Sequence, residues 1–259
     1  MKKAIVTLAI GDEYLNMFHK YCYDSWNAYC DEYDYDLVLI KHPLDDSLRA
    51  SKRSASWQKL LILSQEWSSE YDRVVWVDSD VIMNPCYAYD ISDGVPMDRV
   101  GAVDAYSIPS KEIHDIALYR LYAFWNNSQI PFLDNDTPSK YYTNRGIDGN
   151  GLSAVVQAGV FVCSPKHHKN LFEKIYYGYE DNHGAEWNYE MPAMSYELIK
   201  NDVVHWISPR FNFCVSNVET AFYNGMNPKD YLLHIYHLSI FMHFAGCTNK
   251  MPIINELLK

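Results

Sequence analysis

An apolar run that ends abruptly in two carboxylates is the feature that most constrains this 259-residue chain. Arg73 to Val77 is a short aromatic and β-branched run, which predicts a strand, and Asp78-Ser79-Asp80 follows it directly. Ligands of α/β proteins bind at such strand ends. Two carboxylates that converge there repel each other unless hydrogen bonds or a cation compensate, and a hard divalent ion with oxygen ligands would do so. The alternative is a solvated turn, because an Asp-x-Asp triplet is common by chance.

Strands alternate with amphipathic helices along the chain, which predicts one α/β domain over residues 1–259. Helices are expected where apolar residues recur three and four apart. A polar segment with three glycines, residues 133–153, is predicted to be a mobile loop. The predicted strands are 3–10, 36–40, 73–77, 100–105, 155–163, 203–207 and 231–238. The predicted helices cover 14–30, 57–67, 111–125, 172–179, 190–200 and 252–258.

Charge and hydropathy exclude several partners. Lys and Arg number 22 against 33 Asp and Glu, giving a net charge of −11, and no basic run offers a face for phosphates, so nucleic acid is not expected. The uncharged stretch 231–247 is shorter than the roughly 20 apolar residues that span a bilayer, and the N-terminal run lacks the features of a signal peptide. We therefore expect no transmembrane segment and a cytoplasmic location, with peripheral membrane contact left open. Because the six cysteines are spread widely without a CxxC pair in a large, core-rich chain, we expect them to be reduced. Oligomeric state is not predicted.

Asp78-Ser79-Asp80 resembles the DxD motif of metal-dependent GT-A glycosyltransferases, in particular family 34 of α-galactosyl-, α-mannosyl- and α-xylosyltransferases. Further segments resemble that family in the same order and cover roughly the whole chain as scattered anchors. These anchors are Asn27-Ala28-Tyr29-Cys30 with Tyr33 and Asp34, Ser56-Trp57-Gln58-Lys59-Leu60, Ile82-Met83-Asn84-Pro85 and the HFxGC-like His243-Phe244-Ala245-Gly246-Cys247.

The resemblance implies a single-domain GT-A fold, with a Rossmann-like mixed, mostly parallel sheet flanked by helices. Its nucleotide-binding half would cover about 1–105 and its acceptor half about 106–259. It also implies that Asp78, Asp80 and His243 bind a divalent ion, and an imidazole ligand favours Mn²⁺ over Mg²⁺. His243 alone would be interpreted as a buried core histidine. His234 and His237 fall on opposite faces of a predicted strand and are expected to be structural.

A nucleotide-sugar donor, UDP-linked by resemblance, is expected at the end of the first strand. There Thr7, Leu8 and Ala9 would hold the base and ribose, with Tyr14 as a stacking partner or as a core tyrosine. Lys59 lies off the buried face of its predicted helix and would reach a phosphate or solvent. Asp104 would bind sugar hydroxyls or form a turn. The predicted donor-binding set is Thr7, Leu8, Ala9, Tyr14, Lys59, Asp78, Ser79, Asp104, Gly246 and Lys250.

Two residues are expected beside the transferred sugar. Gln157-Ala158-Gly159 resembles an Asn-x-Gly strand of retaining enzymes, in which the polar side chain faces the sugar and the glycine allows close approach. Glu190-Met191 aligns with an Asp-Gln helix start, but Met191 replaces the family's Gln. If the family's Gln helps on the face of the sugar opposite the leaving group, this chain must use Glu190 or Gln157 or work without such a group. Glu190 is alternatively a carboxylate that complements a helix dipole.

The sequence thus predicts a retaining hexosyltransferase that modifies a glycan or glycoconjugate, in polysaccharide biosynthesis. One alternative is a haloacid-dehalogenase-like phosphatase with Asp78 as nucleophile, but Ile82 stands where that fold has Thr or Val. A nucleotidyltransferase should begin with a glycine-rich, basic loop, which this chain lacks. A catalytically silent carbohydrate-binding protein is the third alternative, and the retention of both carboxylates and His243 argues against it.

Overall fold

The computed structural model describes residues 1–128, 135–180 and 189–259, so positions 133–134 of the predicted mobile loop lie outside the described residues. Nine strands are found in the described part of the chain. They are β1 (Lys3–Leu8), β2 (Tyr35–Ile40), β3 (Arg73–Val77), β4 (Val81–Met83), β5 (Val100–Asp104), β6 (Val156–Cys163), β7 (Val204–Trp206), β8 (Phe213–Cys214) and β9 (Phe241–His243).

The central sheet has six strands in the order β2-β1-β3-β6-β5-β7. Strand β6 pairs antiparallel with β3 and β5, whereas β1 pairs parallel with β2 and β3, and β5 parallel with β7. The sheet is therefore mixed and mostly parallel, as expected. A second sheet has the order β4-β9-β8, with β4 antiparallel to β9.

Helices cover both faces of the central sheet, and a 3₁₀ segment, Ala55–Ser64, lies with the helices Pro165–Gly178 and Met191–Lys200 on one of them. Side chains of β3 alternate between two cores: Val75 and Val77 face one, Val74 and Trp76 the other. The helices are α1 (Asp12–Tyr21), α2 (Tyr23–Tyr33), α3 (Lys111–Asn127), α4 (Pro138–Thr143), α5 (Pro165–Gly178), α6 (Met191–Lys200), α7 (Val215–Val218), α8 (Leu232–Leu238) and α9 (Met251–Leu257).

The predicted strand at 231–238 is wrong, because this segment forms α8. Leu232, Ile235 and Tyr236 are buried while Leu233 and His234 are exposed, and this spacing of three and four is helical. His234 and His237 consequently lie on the exposed side of one helix rather than on opposite faces of a strand. Within the described ranges, neither belongs to the potential metal cluster.

Two further predictions of secondary structure need correction. The single helix expected over 14–30 is two helices, which meet at Cys22. The predicted loop 133–153 contains α4, whose N-cap Thr137 accepts a hydrogen bond from the backbone N–H of Lys140, with Pro138 in the first turn.

The six cysteines are free, and five of them are buried. Across the described ranges, none of the helices combines the length and the apolar character that crossing a bilayer requires.

Candidate active site

The topology brings the predicted site residues to one edge of the central sheet. Asp78 follows the carboxyl end of β3, and Leu8 ends the parallel neighbour β1. Because β6 runs antiparallel, it begins at this same edge, and Gln157 lies near its start. Residues from the beginning and the middle of the chain therefore meet where ligands of α/β folds bind.

The second sheet adds His243 to this edge. Strand β4 starts directly after Asp80, and its first residue, Val81, lies opposite His243 in β9. His243 Nε2 is 3.2 Å from Asp80 Oδ1, and the ligand atoms of Asp78, Asp80 and His243 all lie within 4.8 Å of one another. The three predicted metal ligands thus form one cluster.

The ring of His243 is held by contacts that the sequence did not indicate. Its Nδ1 lies 2.7 Å from Oδ1 of Asn212, a buried residue that immediately precedes β8. Gly159 permits this position of the ring, because a Cβ there would lie 2.5 Å from His243 Cε1. The Asn212 carbonyl accepts from Nδ1–H, which leaves Nε2 directed at Asp80.

Lys59 is buried instead of lying off the buried face as predicted. Its side chain is 3% exposed, and its Nζ lies 3.0 Å from Asp78 Oδ1, 2.8 Å from Glu190 Oε1 and 3.1 Å from the carbonyl of Ala158. The 3₁₀ winding of Ala55–Ser64 buries seven consecutive residues, so a prediction based on α-helical faces fails there.

Burial disfavours the charged ammonium, yet Asp78 and Glu190 outweigh it and raise the pKa of Lys59 above its ordinary value. Burial also raises the pKa of Asp78, against the opposing attraction of Lys59 and His243. For Asp80, burial is outweighed by His243, and its pKa is lowered. The pKa of His243 is correspondingly raised well above its ordinary value, because Asp80 overcomes the effect of burial.

Lys59 and His243 therefore both oppose the negative charge of the two aspartates. A metal ion bound here would take the Nε2 lone pair of a neutral His243. Two carboxylates and one imidazole are a donor set that suits Mn²⁺, so the residues present fit the expected ion.

A cavity of about 340 Å³ opens beside the cluster. Six predicted residues line it, namely Leu8, Tyr14, Lys59, Asp78, Ser79 and Asp80. Its other lining residues carried no signal in the sequence, and they are Ile10, Met17, Ser54, Ala55, Ser56, Trp76, Tyr189 and Thr248. A larger cavity of about 480 Å³ lies at the opposite edge, where Asp72 precedes β3 and Ser164 follows β6, and includes none of the predicted site residues.

The remaining residues of the predicted donor site are placed differently. Thr7 and Ala9 are buried, at 0% and 1% exposure, and do not line the cavity. Asp104 accepts hydrogen bonds from the backbone N–H groups of Tyr106 and Val155, which favours its interpretation as a turn former, and it lines a separate cavity.

The C-terminal part of the predicted donor site shows a similar departure. Gly246 has a φ of 69°, in the left-handed region that favours glycine. Lys250 forms an ion pair with Glu219. Thr248, between these two residues, is the one that lines the cavity.

Of the two residues predicted beside the sugar, Gln157 contacts Asn212, the partner of His243, and Glu190 contacts Lys59. Gln157 Oε1 accepts from the backbone N–H of Gly159 at 2.5 Å and from Asn212 Nδ2 at 2.9 Å. Glu190 precedes the first residue of α6 and is buried against Lys59. Its carboxylate thus forms an ion pair with a lysine side chain in addition to lying at the N-terminus of α6.

The sequence matches no protein-family model and no curated protein. The structure is similar to a glycosyltransferase involved in the glycosylation of the major capsid of PBCV-1, with a TM-score of 0.56 and 15% identity over 99% of this chain and 100% of that one. It is also similar to the bifunctional glycosyltransferase WbbM in its apo form, with a TM-score of 0.53 and 15% identity over 95% of this chain and 46% of that one.

A third similar structure is the galactosyltransferase LgtC in complex with donor and acceptor sugar analogues, with a TM-score of 0.50 and 13% identity over 98% of this chain and 95% of that one. The chain therefore has the mixed α/β fold of glycosyltransferases.

Proposed function

We propose that this protein is a metal-dependent glycosyltransferase that transfers a hexose from a UDP-linked donor to a hydroxyl of a glycan or glycoconjugate. The observation that carries the proposal is the Asp78, Asp80 and His243 cluster beside the 340 Å³ cavity, at the carboxyl edge of the sheet. The glycosyltransferase fold supports it, and the resemblance of the DxD and HFxGC segments to family 34 is a second line of support.

Asp78, Asp80 and His243 would bind the divalent ion, with Mn²⁺ as the expected metal. A bound ion supplies a Lewis acid that neutralises the charge of a leaving nucleoside diphosphate. Asp78 is held for this role, because its Oδ1 accepts from Lys59 Nζ at 3.0 Å and from Trp76 Nε1 at 2.7 Å. His243 is held by Asn212 and by the close approach of Gly159.

The nucleotide is proposed to occupy the part of the cavity formed by Leu8, Ile10, Tyr14 and Met17. The Tyr14 ring is 56% exposed, so it is available to stack on a base. The hydroxyl-bearing Ser56 and Thr248 line the same cavity and suit ribose or phosphate oxygens.

Lys59 is proposed to position carboxylates rather than to bind phosphate. Its ammonium has three N–H groups, and the structure gives it three acceptors, on Asp78, Ala158 and Glu190. It thereby connects Asp78, one of the proposed metal ligands, to Glu190, which contacts the same ammonium.

Gln157 and Glu190 are proposed to act beside the transferred sugar. We propose retention of the anomeric configuration, which rests on the family resemblance. Front-face displacement and a covalent intermediate on Glu190 both give that outcome, and NMR of the product would establish the configuration itself.

The proposal is tested by incubating the protein with UDP- and GDP-sugars plus Mn²⁺ and measuring release of nucleoside diphosphate. One donor is expected to be cleaved, and EDTA and Asp80→Ala are each expected to abolish the cleavage. Asp72→Ala is the matched control, because Asp72 flanks the other end of β3 at the opposite edge. Its activity should equal that of the wild type.

Two outcomes would contradict the proposal. Hydrolysis of a phosphomonoester without cleavage of any nucleotide-sugar would indicate a phosphatase, and Asp78 would then be tested as its nucleophile. Binding of a glycan with neither donor cleavage nor donor binding would indicate a carbohydrate-binding protein.

A further inference from the structure

We infer that Asn212 is a positioning residue that fixes His243 with its Nε2 atom directed at the metal site. This inference rests on the proposed metal-dependent function and adds a residue that no sequence motif indicated. Asn212 is fully buried, at 0% exposure, and its Oδ1 lies 2.7 Å from His243 Nδ1.

A chain of hydrogen bonds defines which way the Asn212 amide faces. The backbone N–H of Gly159 can only donate, and it donates to Gln157 Oε1 at 2.5 Å. The Asn212 atom that lies 2.9 Å from the same Oε1 must therefore be the donor Nδ2. Its carbonyl Oδ1 consequently faces His243.

The orientation of Asn212 in turn defines the histidine. A carbonyl oxygen can only accept, so the proton of the imidazole that faces Asn212 lies on Nδ1. The lone pair of a neutral His243 is then on Nε2, which lies 3.2 Å from Asp80 Oδ1. Buried partners that fix a ligating histidine in this way raise metal affinity and orient the ring.

The other contact of Nδ1 is weaker. Cys214 Sγ lies 3.9 Å from His243 Nδ1, at the long end of a hydrogen bond to sulfur. The much shorter contact with Asn212 therefore dominates. Cys214→Ala should leave the metal affinity unchanged.

The test is a titration of the full chain with Mn²⁺ alone, in which free Mn²⁺ is measured by electron paramagnetic resonance. Asn212→Leu removes the acceptor and is expected to weaken Mn²⁺ binding by about 10–100-fold. Asn212→Asp keeps an acceptor for Nδ1–H, but its second oxygen faces Gln157 Oε1 in place of an N–H group, so it should lose part of the affinity and still bind Mn²⁺ more tightly than Asn212→Leu.

Asn84→Leu is the matched control. Asn84 is equally buried and donates to the carbonyl of Tyr236 at 2.9 Å, without a contact to His243. Its replacement should destabilise the fold while the folded protein keeps its Mn²⁺ affinity.

If Asn212→Leu does not fold, Gln157→Leu is measured in its place. Loss of the Gln157 acceptor frees the Asn212 amide to turn over, so this variant should also weaken Mn²⁺ binding.

The outcomes separate this inference from the proposed function. If the wild type binds Mn²⁺ no better than Asp80→Ala does, the proposed metal site is wrong. If the wild type binds Mn²⁺ and Asn212→Leu binds it equally well, only the role of Asn212 is overturned. Equal losses in Asn212→Leu and Asn212→Asp would also overturn it, because a missing acceptor would then not be the cause.

Discussion

The ammonium of Lys59 lies 2.8 Å from the Glu190 carboxylate, and both side chains are buried, at 3% and 5% exposure. Asp78 contacts the same ammonium at 3.0 Å. One buried cation thus compensates two carboxylates from distant parts of the chain. This arrangement is stable only while all its members are present.

Lys59→Met should therefore destabilise the protein strongly. Loss of the cation leaves Glu190 buried without its ion-pair partner and removes the ion pair of Asp78, whose side chain is 29% exposed, at a cost of about 3–5 kcal/mol. The measurement is the free energy of unfolding in urea. The double variant Lys59→Met with Glu190→Gln should recover part of the loss, because one of the uncompensated charges is then removed.

Lys174→Met is the comparison for that experiment. Lys174 forms an ion pair with Glu197 at the same distance of 2.8 Å, with the lysine 61% and the glutamate 8% exposed. Because the lysine reaches into solvent and Glu197 keeps hydrogen bonds from Tyr179 and Asn201, this variant should cost clearly less than Lys59→Met. A similar loss in the two lysine variants would show that burial of Lys59 is not what matters.

The central sheet was predictable because its strands have local signatures. Arg73–Val77 is an uninterrupted apolar run that ends at two carboxylates, and the structure has a strand with those bounds. α8 was missed because a short apolar run fits both a strand and a buried helix. α4 did carry a signal, Thr137 followed by Pro138, but the polar residues and glycines around it indicated a loop.

The metal cluster was predicted by resemblance, whereas the contacts that hold it were not. The β4 and β9 pairing that places His243 beside Asp80 joins segments far apart in the chain. Asn212 belongs to no motif, and its role depends on where β8 lies against β9. Such contacts depend on tertiary packing, which periodicity and local spacing do not encode.

Gly159→Ala should disable the metal site. A Cβ at this position would lie 2.5 Å from His243 Cε1 and 2.9 Å from Gln157 Oε1, and both side chains are held by hydrogen bonds. The ring must move, so we expect loss of Mn²⁺ binding and a destabilisation of about 1–3 kcal/mol. Titration with Mn²⁺ and thermal unfolding measure the two effects.

Gly178→Ala is the control for that substitution. Gly178 ends α5, and apart from its chain neighbours and the backbone of its own helix, nothing lies within 4 Å of the position its Cβ would take. Its replacement should leave Mn²⁺ binding intact and change stability by less than about 1 kcal/mol. Unchanged Mn²⁺ binding in Gly159→Ala would show that the His243 ring tolerates displacement.

Asp90 should make stability depend on pH. Burial opposes its ionisation, but hydrogen bonds from Lys3 at 2.7 Å, Tyr35 at 2.5 Å and the backbone N–H of Ser92 at 2.8 Å outweigh burial and lower the pKa of Asp90. Its folded-state pKa thus lies below the ordinary value of 3.8. Its contribution to stability is complete above the unfolded pKa and is lost as the pH falls through the folded pKa.

Asp90→Asn should therefore cost about 2 kcal/mol at neutral pH, and the difference from the wild type should shrink as the solution is acidified. Urea unfolding between neutral and acidic pH measures it. Asp115→Asn is the control, because its pair with Lys111 is exposed and its loss should stay within about 0.5 kcal/mol. A pH-independent difference for Asp90→Asn would mean that the carboxylate charge does not stabilise the fold.

Tyr14→Ala should weaken nucleotide binding without destabilising the fold. The ring is 56% exposed and lines the cavity next to Asp80, so removing it costs little packing but removes the proposed stacking surface. Loss of an aromatic stack worth about 1 kcal/mol weakens binding roughly fivefold. Calorimetry with UDP and Mn²⁺ measures the Kd, and Tyr14→Phe should retain the wild-type value.

Tyr119→Ala is the control for that substitution. Tyr119 is 75% exposed on α3 and lies outside the cavity, so its removal should leave the Kd for UDP unchanged. An unchanged Kd in Tyr14→Ala would place the base against another part of the cavity wall.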